Sequence, residues 1–187
     1  MAEKTDEELV KEVQRGDIQS FGILVDRYEE KIKRYAKRFL FDREDANDIT
    51  QDVFMKAYVN IRSFDSSRRF SPWIYRIAHN QFVNELKKKR RERIVTFDLD
   101  VLFPHPKAKE AADTEANRQD LRRLLDTHLE KLPPKYREPL TLYYFEEMEY
   151  REIAEILRVP VATVGIRLRR GKLLMKKLME RSGVTYA

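Results

Sequence analysis

The chain has 187 residues, with 38 Lys and Arg against 32 Asp and Glu, a formal net charge of +6 and no cysteine. The missing thiols exclude disulfides, thiolate zinc sites, iron–sulfur clusters and cysteine nucleophiles. With 37% charged residues, only five Gly and seven Pro, the composition favours helices in one medium or two small domains over a large buried sheet. Met1 is followed by the charged run AEKTDEEL, with no apolar signal region, and no later run approaches the roughly 20 apolar residues of a membrane span. A soluble, cytoplasmic protein without membrane insertion is expected.

Thr5 to Glu8 has the form of a capping box, and Leu9, Val10 and Val13 follow at helical spacing, so a short helix is expected before Gly16 and Asp17. Phe21, Leu24, Val25, Tyr28, Ile32, Tyr35, Ala36 and Phe39 recur every three or four residues. They predict a long amphipathic helix with Asp26, Arg27, Glu30 and Lys33 on its solvent side. Asp42 is placed to cap a third helix, with Ile49, Val53, Phe54 and Tyr58 on its buried face. After a loop from Ser63 to Pro72, Pro72 suits the first turn of a fourth helix carrying Trp73, Ile74, Ile77, Ala78, Phe82 and Leu86.

From Arg93 the helical period gives way to alternation through Val95, Phe97, Leu99, Val101 and Phe103, a strand-like patch in a linker. It either rests on a neighbouring domain or docks in a partner's groove. A new helical stripe then runs through Leu121, Leu124, Leu125, His128, Leu129 and Leu132 to Pro133-Pro134. The chain divides into a helical domain over 1–92, a linker over 93–115 and a second helical domain over 116–187. The expected fold class is all-α, two small helical domains on a flexible linker.

Tyr150 to Lys172 reads as a helix-turn-helix: Ile153, Ala154 and Leu157 face inward, Arg158 to Val161 breaks the helix, and Thr163 caps or opens the next one. Six bases and no acid lie between Arg167 and Lys177, which favours DNA over a merely solvated basic face. On the fourth helix Arg76, Asn80, Asn84, Lys87 or Lys88, and Arg91 share a polar stripe, putting base-pairing amides in line with phosphate-holding cations. Phe64, Phe70, Trp73 and Tyr75 cluster beside it, either as stacking platforms for unpaired bases or as parts of a small core.

Asp45, Asp48 and Asp52 share a helix face, but without a nearby His they read better as a partner-facing acidic surface than as a metal site. His79, His105 and His128 are isolated, and none of the five glycines forms a phosphate loop. Neither a catalytic site, a metal nor a cofactor is expected.

GDIQSFGILVDRY from Gly16, DANDITQDVF from Asp45 and SFDSSRRFSPWIYRIAHNQFVNELKKKRR from Ser63 together resemble region 2 of the bacterial sigma factors of the extracytoplasmic-function group. LPPKYREPLTLYYFEEMEYREIAEILRVPVATVGIRLRRGK from Leu132 is similar to their region 4. The resemblance implies a sigma factor that binds core RNA polymerase and directs it to promoter DNA. By it, Asp48, Gln51 and Phe54 meet the clamp helices of the largest subunit, and other core surfaces engage the rest. Phe64, Phe70, Trp73, Tyr75, Arg76, Asn80, Asn84 and Lys88 serve the minus-10 element, with a flipped base in the loop from Ser63 to Ser71. Thr163, Arg167, Arg170 and Lys172 serve the minus-35 element, and an anti-sigma factor is an expected partner. The helix-turn-helix alone also fits a repressor or activator that acts without polymerase. Three departures from the family pattern stand out: Gly165 and Ile166 inside the recognition helix, Pro139 predicting a kink or a later helix start, and Glu149 where Ser or Thr often caps.

Overall fold

The structure, a computed structural model, describes residues 3–40, 43–92 and 128–181. Asp42, the linker with its strand-like patch and the stripe from Leu121 to Leu125 lie outside the described residues. Among those described, the regular structure is helix alone. α1 (Asp6–Gln14), α2 (Ile18–Leu40), α3 (Arg43–Asn60) and α4 (Phe70–Glu92) form one bundle, and α5 (Pro134–Tyr144), α6 (Tyr150–Leu157) and α7 (Val161–Arg181) form another. Single 3₁₀ turns occupy Ile61–Ser63 and Leu129–Lys131.

Local chemistry sets the helix ends. The Glu8 N–H donates to Thr5 Oγ1 at 3.2 Å while Glu8 Oε2 accepts from the Thr5 N–H at 2.8 Å, so the capping box closes as its sequence predicts. α1 ends where Gly16 takes φ +106°, a conformation that any side chain would strain. Asp17 then accepts from the Gln19 N–H at 3.0 Å and opens α2. α4 has a long-range cap: Glu7 Oε1 of α1 accepts from the Phe70 N–H at 2.9 Å.

The first core is built from Leu24, Ile32 and Phe39 of α2, Val53 and Ala57 of α3, and Ile74, Ala78 and Phe82 of α4, with Leu9, Val10 and Val13 closing one end. Each large apolar side chain so buried contributes about 1.5–3 kcal/mol. Three expectations need correction. Tyr58 is exposed at the edge of α3, where it meets Phe21 edge-on at 5.0 Å, because the inward register runs through Ala46, Thr50, Val53 and Ala57. Phe21 and Val25 are only half-buried. Arg27, expected on the solvent side, reaches Asp6 at 2.6 Å and Glu3 at 2.9 Å, tying α2 to the start of α1.

In the second bundle α5 begins at Pro134 and runs unbroken through Pro139, so the later start that Pro139 suggested does not occur. Only one intrahelical donor is lost there, close to the helix start. α7 crosses α5 closely at Gly171, where an added Cβ would lie 2.7 Å from Leu140 Cδ1 and 3.4 Å from the Tyr136 carbonyl oxygen. At Gly165 the same atom would stand 3.6 Å from the Tyr150 ring, an ordinary contact. Gly171→Ala is therefore expected to lower stability by about 1–3 kcal/mol through overpacking, and Gly165→Ala to raise it by about 0.5–1 kcal/mol through helix propensity. Thermal denaturation of the two variants checks the opposite signs.

Candidate nucleic-acid interface

The turn from Ile61 and the loop to Phe70 are held by side chains placed far away in sequence. Gln14 Nε2 donates to the carbonyls of Ile61 and Phe64, both at 2.8 Å. Asp65 Oδ1 accepts from the Ser67 N–H at 3.0 Å and its hydroxyl at 2.7 Å, bonds that lower the Asp65 pKa. The loop so fixed walls a cavity of about 160 Å³ lined by Phe64, Arg68, Arg69, Trp73, Arg76 and, from the second bundle, Glu155. Its apolar wall is a ring cluster in which Trp73 lies 4.9 Å from Phe64 and 5.5 Å from Phe70.

Those rings do not all face the cavity. Trp73 is half-buried and Phe64 is 7% exposed, and both line the cavity, whereas Phe70 is 0% and Tyr75 2% exposed. The expectation that Phe70 and Tyr75 offer a free ring face is corrected: Phe70 fills the core against Tyr28 at 5.4 Å, and Tyr75 packs on Tyr35 at 5.5 Å. Along α4 from the cavity, Arg76 is half-buried while Asn80, Asn84 and Lys88 are exposed. Arg91 lies in α4, but its side chain is outside the described residues, as is Arg93.

The helix-turn-helix is assembled by backbone geometry. Arg158 takes the left-handed conformation at φ 52°, ψ 48° and closes α6, with the Val159 N–H donating to the Ala154 carbonyl at 3.1 Å. Glu149 is the N-cap of α6, and Glu152 Oε2 accepts from its N–H at 2.9 Å, the part an N3 carboxylate plays in a capping box. α7 starts at Val161, with the Thr163 N–H donating to the Pro160 carbonyl at 2.8 Å, so Thr163 lies inside the first turn and is not its cap. Thr163, Arg167 and Arg170 fall on one face of α7. Lys172 stands about two and a half turns beyond Thr163, on the opposite side; its ammonium is 5.9 Å from the Tyr144 ring centre. Val161 and Ile166 are exposed at the front of the helix.

A third surface lies on the outer side of α2 and α3. Asp48 and Gln51 are exposed, while Phe54 is buried at 8% exposure and forms the floor of an apolar groove. Ile18, Phe21, Met55 and Tyr58 line it, and its volume is about 390 Å³. Sequence reading missed Ile18 and Met55, which stand 63% and 67% exposed. Among the described residues no three His, Asp or Glu gather as a metal site, and no helix is long and apolar enough to cross a membrane. The Asp45 side chain is outside the described residues.

The two bundles meet through carboxylates of the second. Glu138 Oε1 accepts from the Tyr35 hydroxyl and lies 2.6 Å from His79 Nδ1, and Glu146 Oε2 accepts from the Tyr75 hydroxyl at 2.6 Å. Burial raises the Glu146 pKa, opposed first by the Tyr75 bond and then by Arg34, Arg38 and Lys31. Its other oxygen, Oε1, has no hydrogen-bond partner among the described residues. Burial also pushes the Tyr35 and Tyr75 hydroxyls well up, keeping both as donors. Arg38 lies 3.9 Å over the Phe145 ring, and Arg137 is lowered to about 10 by burial, against the pull of Glu138 and Glu130.

The sigma-70 region 2 profile matches residues 24–92 and the sigma-70 region 4 profile residues 122–175. The chain is 35% identical over 174 residues to the ECF RNA polymerase sigma factor SigW of Bacillus subtilis, covering 90% of this chain and 93% of that protein. It is 32% identical to the RNA polymerase sigma-H factor of Pseudomonas aeruginosa, covering 96% of each. In structure it is similar to CnrH, solved in complex with the cytosolic domain of CnrY, with a TM-score of 0.70, 25% identity, and 95% and 99% of the two chains covered. Two sigma profiles in order account for the first bundle, which a free-standing repressor leaves without a role. The chain belongs to the sigma-70 family, in its ECF group, and is an RNA polymerase sigma factor.

Proposed function

We propose that this sigma factor divides its work among the three surfaces just described. Core RNA polymerase seats its clamp helices along α3, meeting exposed Asp48 and Gln51, with Gln51 lining the groove and Phe54 supporting its floor. The cavity under the loop from Ser63 takes a base flipped out of the minus-10 element, against Trp73 and Phe64. Asn80 and Asn84 hold the opened strand, and Arg76 and Lys88 hold its phosphates. Thr163, Arg167 and Arg170 meet the minus-35 duplex, where exposed Ile166 suits a thymine methyl group. Lys172, on the far side of α7, contributes charge and not base contact.

The observation that carries this reading is the continuity of the cavity with the exposed Asn80–Asn84 stripe on one helix, a base-sized opening running into a row of amides and cations. The protein makes and breaks no covalent bond. Captured bases offset a few kcal/mol of unstacking each, and the phosphodiester chemistry is the polymerase's. It acts in the cytoplasm over domains at 1–92 and 116–187, joined by 93–115, and an anti-sigma factor restrains it, as CnrH is bound by the cytosolic domain of CnrY.

Transcription in vitro with core polymerase from the same source, on a pool of its genomic fragments, tests the proposal. Transcripts that depend on this protein and share an upstream sequence are expected. Silence on every fragment, with folded protein and active core, would overturn it.

A further inference from the structure

α7 turns outward the face opposite its buried line of Val164, Leu168, Gly171 and Met175. At about 100° per residue, Ala162, Ile166 and Leu173 run down the middle of that outward face. All three are exposed, Ile166 at 42% and Leu173 at 50%. Arg169 and Arg170 stand about 50° to either side of the line, and Lys176 and Lys177 flank it again two turns on. A helix face turned to plain solvent is polar across its middle. This one is apolar in the middle and cationic at both edges, the profile that fits a major groove, where thymine methyl groups lie between two rims of phosphate. We infer that Ile166 reads the minus-35 element through the 5-methyl group of a thymine, so that this position of the promoter is selected by a methyl contact and not by a hydrogen bond. The inference deepens the proposed minus-35 role of α7 and rests on it.

The start of α7 leaves little else to read with. In a helix-turn-helix the first residues of the second helix meet the base edges, and from Val161 to Ile166 only Thr163 carries a hydrogen-bonding side chain, itself half-buried. Gly165 offers none and lies against the Tyr150 ring of α6. Ala162, one turn before Ile166 on the same line, is short enough to let the helix end come close to the bases. The thymine methyl is the apolar group that base pairs present in the major groove, so an exposed Ile at this point has one matching partner there. Burying one methyl group against it is worth about fourfold in affinity. The cations at the edges add attraction that is indifferent to sequence, which leaves the methyl contact to discriminate. Because the contact is to a methyl group and not to a base as such, a cytosine carrying a 5-methyl group is read in the same way.

The test uses holoenzyme assembled from the full chain and core polymerase, on a promoter that responds to it in transcription. Each thymine of the upstream element, on either strand, is replaced singly by deoxyuridine, which removes the methyl group and nothing else, and binding is read by competition against a fluorescein-labelled parent fragment. Deoxyuridine is expected to weaken binding about fourfold at one or two positions and to change it little elsewhere. At those positions a 5-methylcytosine–guanine pair is expected to bind about fourfold more tightly than a cytosine–guanine pair. In holoenzyme carrying Ile166→Ser both ratios should fall to about one, with the thermal melt of the free variant unchanged because the side chain is exposed. Equal binding of thymine and deoxyuridine at every position would overturn the inference, as would a deoxyuridine effect that persists undiminished in Ile166→Ser. Unchanged binding when the whole upstream element is scrambled would instead remove the minus-35 role of α7, and the methyl reading with it.

Discussion

Met55→Asp is expected to lower affinity for core RNA polymerase by about thirtyfold or more, the loss of about 2 kcal/mol typical of a buried interface anchor. Met55 is 67% exposed on the groove of α2 and α3, so the change leaves the fold within about 0.5 kcal/mol of the parent. Docking a helix there would strip water from the new carboxylate with no cation facing it among the lining residues Ile18, Phe21 and Tyr58. Phe54→Ala is the less informative variant. Its ring is buried, and truncation costs the fold itself about 3–5 kcal/mol. Fluorescence anisotropy of labelled protein titrated with core, beside a thermal melt of each variant, separates the two effects. Parent-like affinity in Met55→Asp would move the docking surface elsewhere.

The second large effect is expected at the amides proposed to hold the opened strand. Asn80→Ala and Asn84→Ala should each reduce open-complex formation about tenfold or more, in keeping with about 1–3 kcal/mol for an amide paired to a base edge. Core affinity should be unchanged, because both side chains are exposed on α4, away from the groove of α2 and α3. Permanganate footprinting of unpaired thymines on a responsive promoter, with holoenzyme at saturating concentration, reads the loss directly. Equal loss of opening and of core binding would remove the assignment.

How much of this was legible in the sequence depended on how local the cause was. The capping box of Thr5 and Glu8, the stripe from Leu24 to Phe39 and the turn after Leu157 each arise from residues within a few positions of one another. Periodicity captures such causes. The same periodicity sets an angle around a helix but does not say what covers it. Tyr75 sits beside Trp73 in the sequence, yet one is core and the other lines a cavity, because Tyr35 and Glu146 arrive from elsewhere in the chain to cover Tyr75. The groove floor at Phe54, the exposure of Tyr58 and the Glu7 cap on Phe70 have the same non-local origin. Lys172 was a different matter. Counting turns along α7 was enough to separate it from Arg167 and Arg170, and the density of basic residues concealed that separation.

The ties from α1 to the cavity carry a consequence for dissection of the protein. The matched region 2 segment begins at residue 24, but the side chains that shape the loop start earlier: Glu7 fixes the first N–H of α4, and Gln14 holds the carbonyls of Ile61 and Phe64. Leu9, Val10 and Val13 are buried beneath them. A fragment trimmed to the matched boundary would keep every residue assigned to the strand, yet leave the loop that presents them without its splint. The leading helix is thus a splint for the cavity loop, and a disturbance of α1 would be felt first at the carbonyls of Ile61 and Phe64 and at the start of α4.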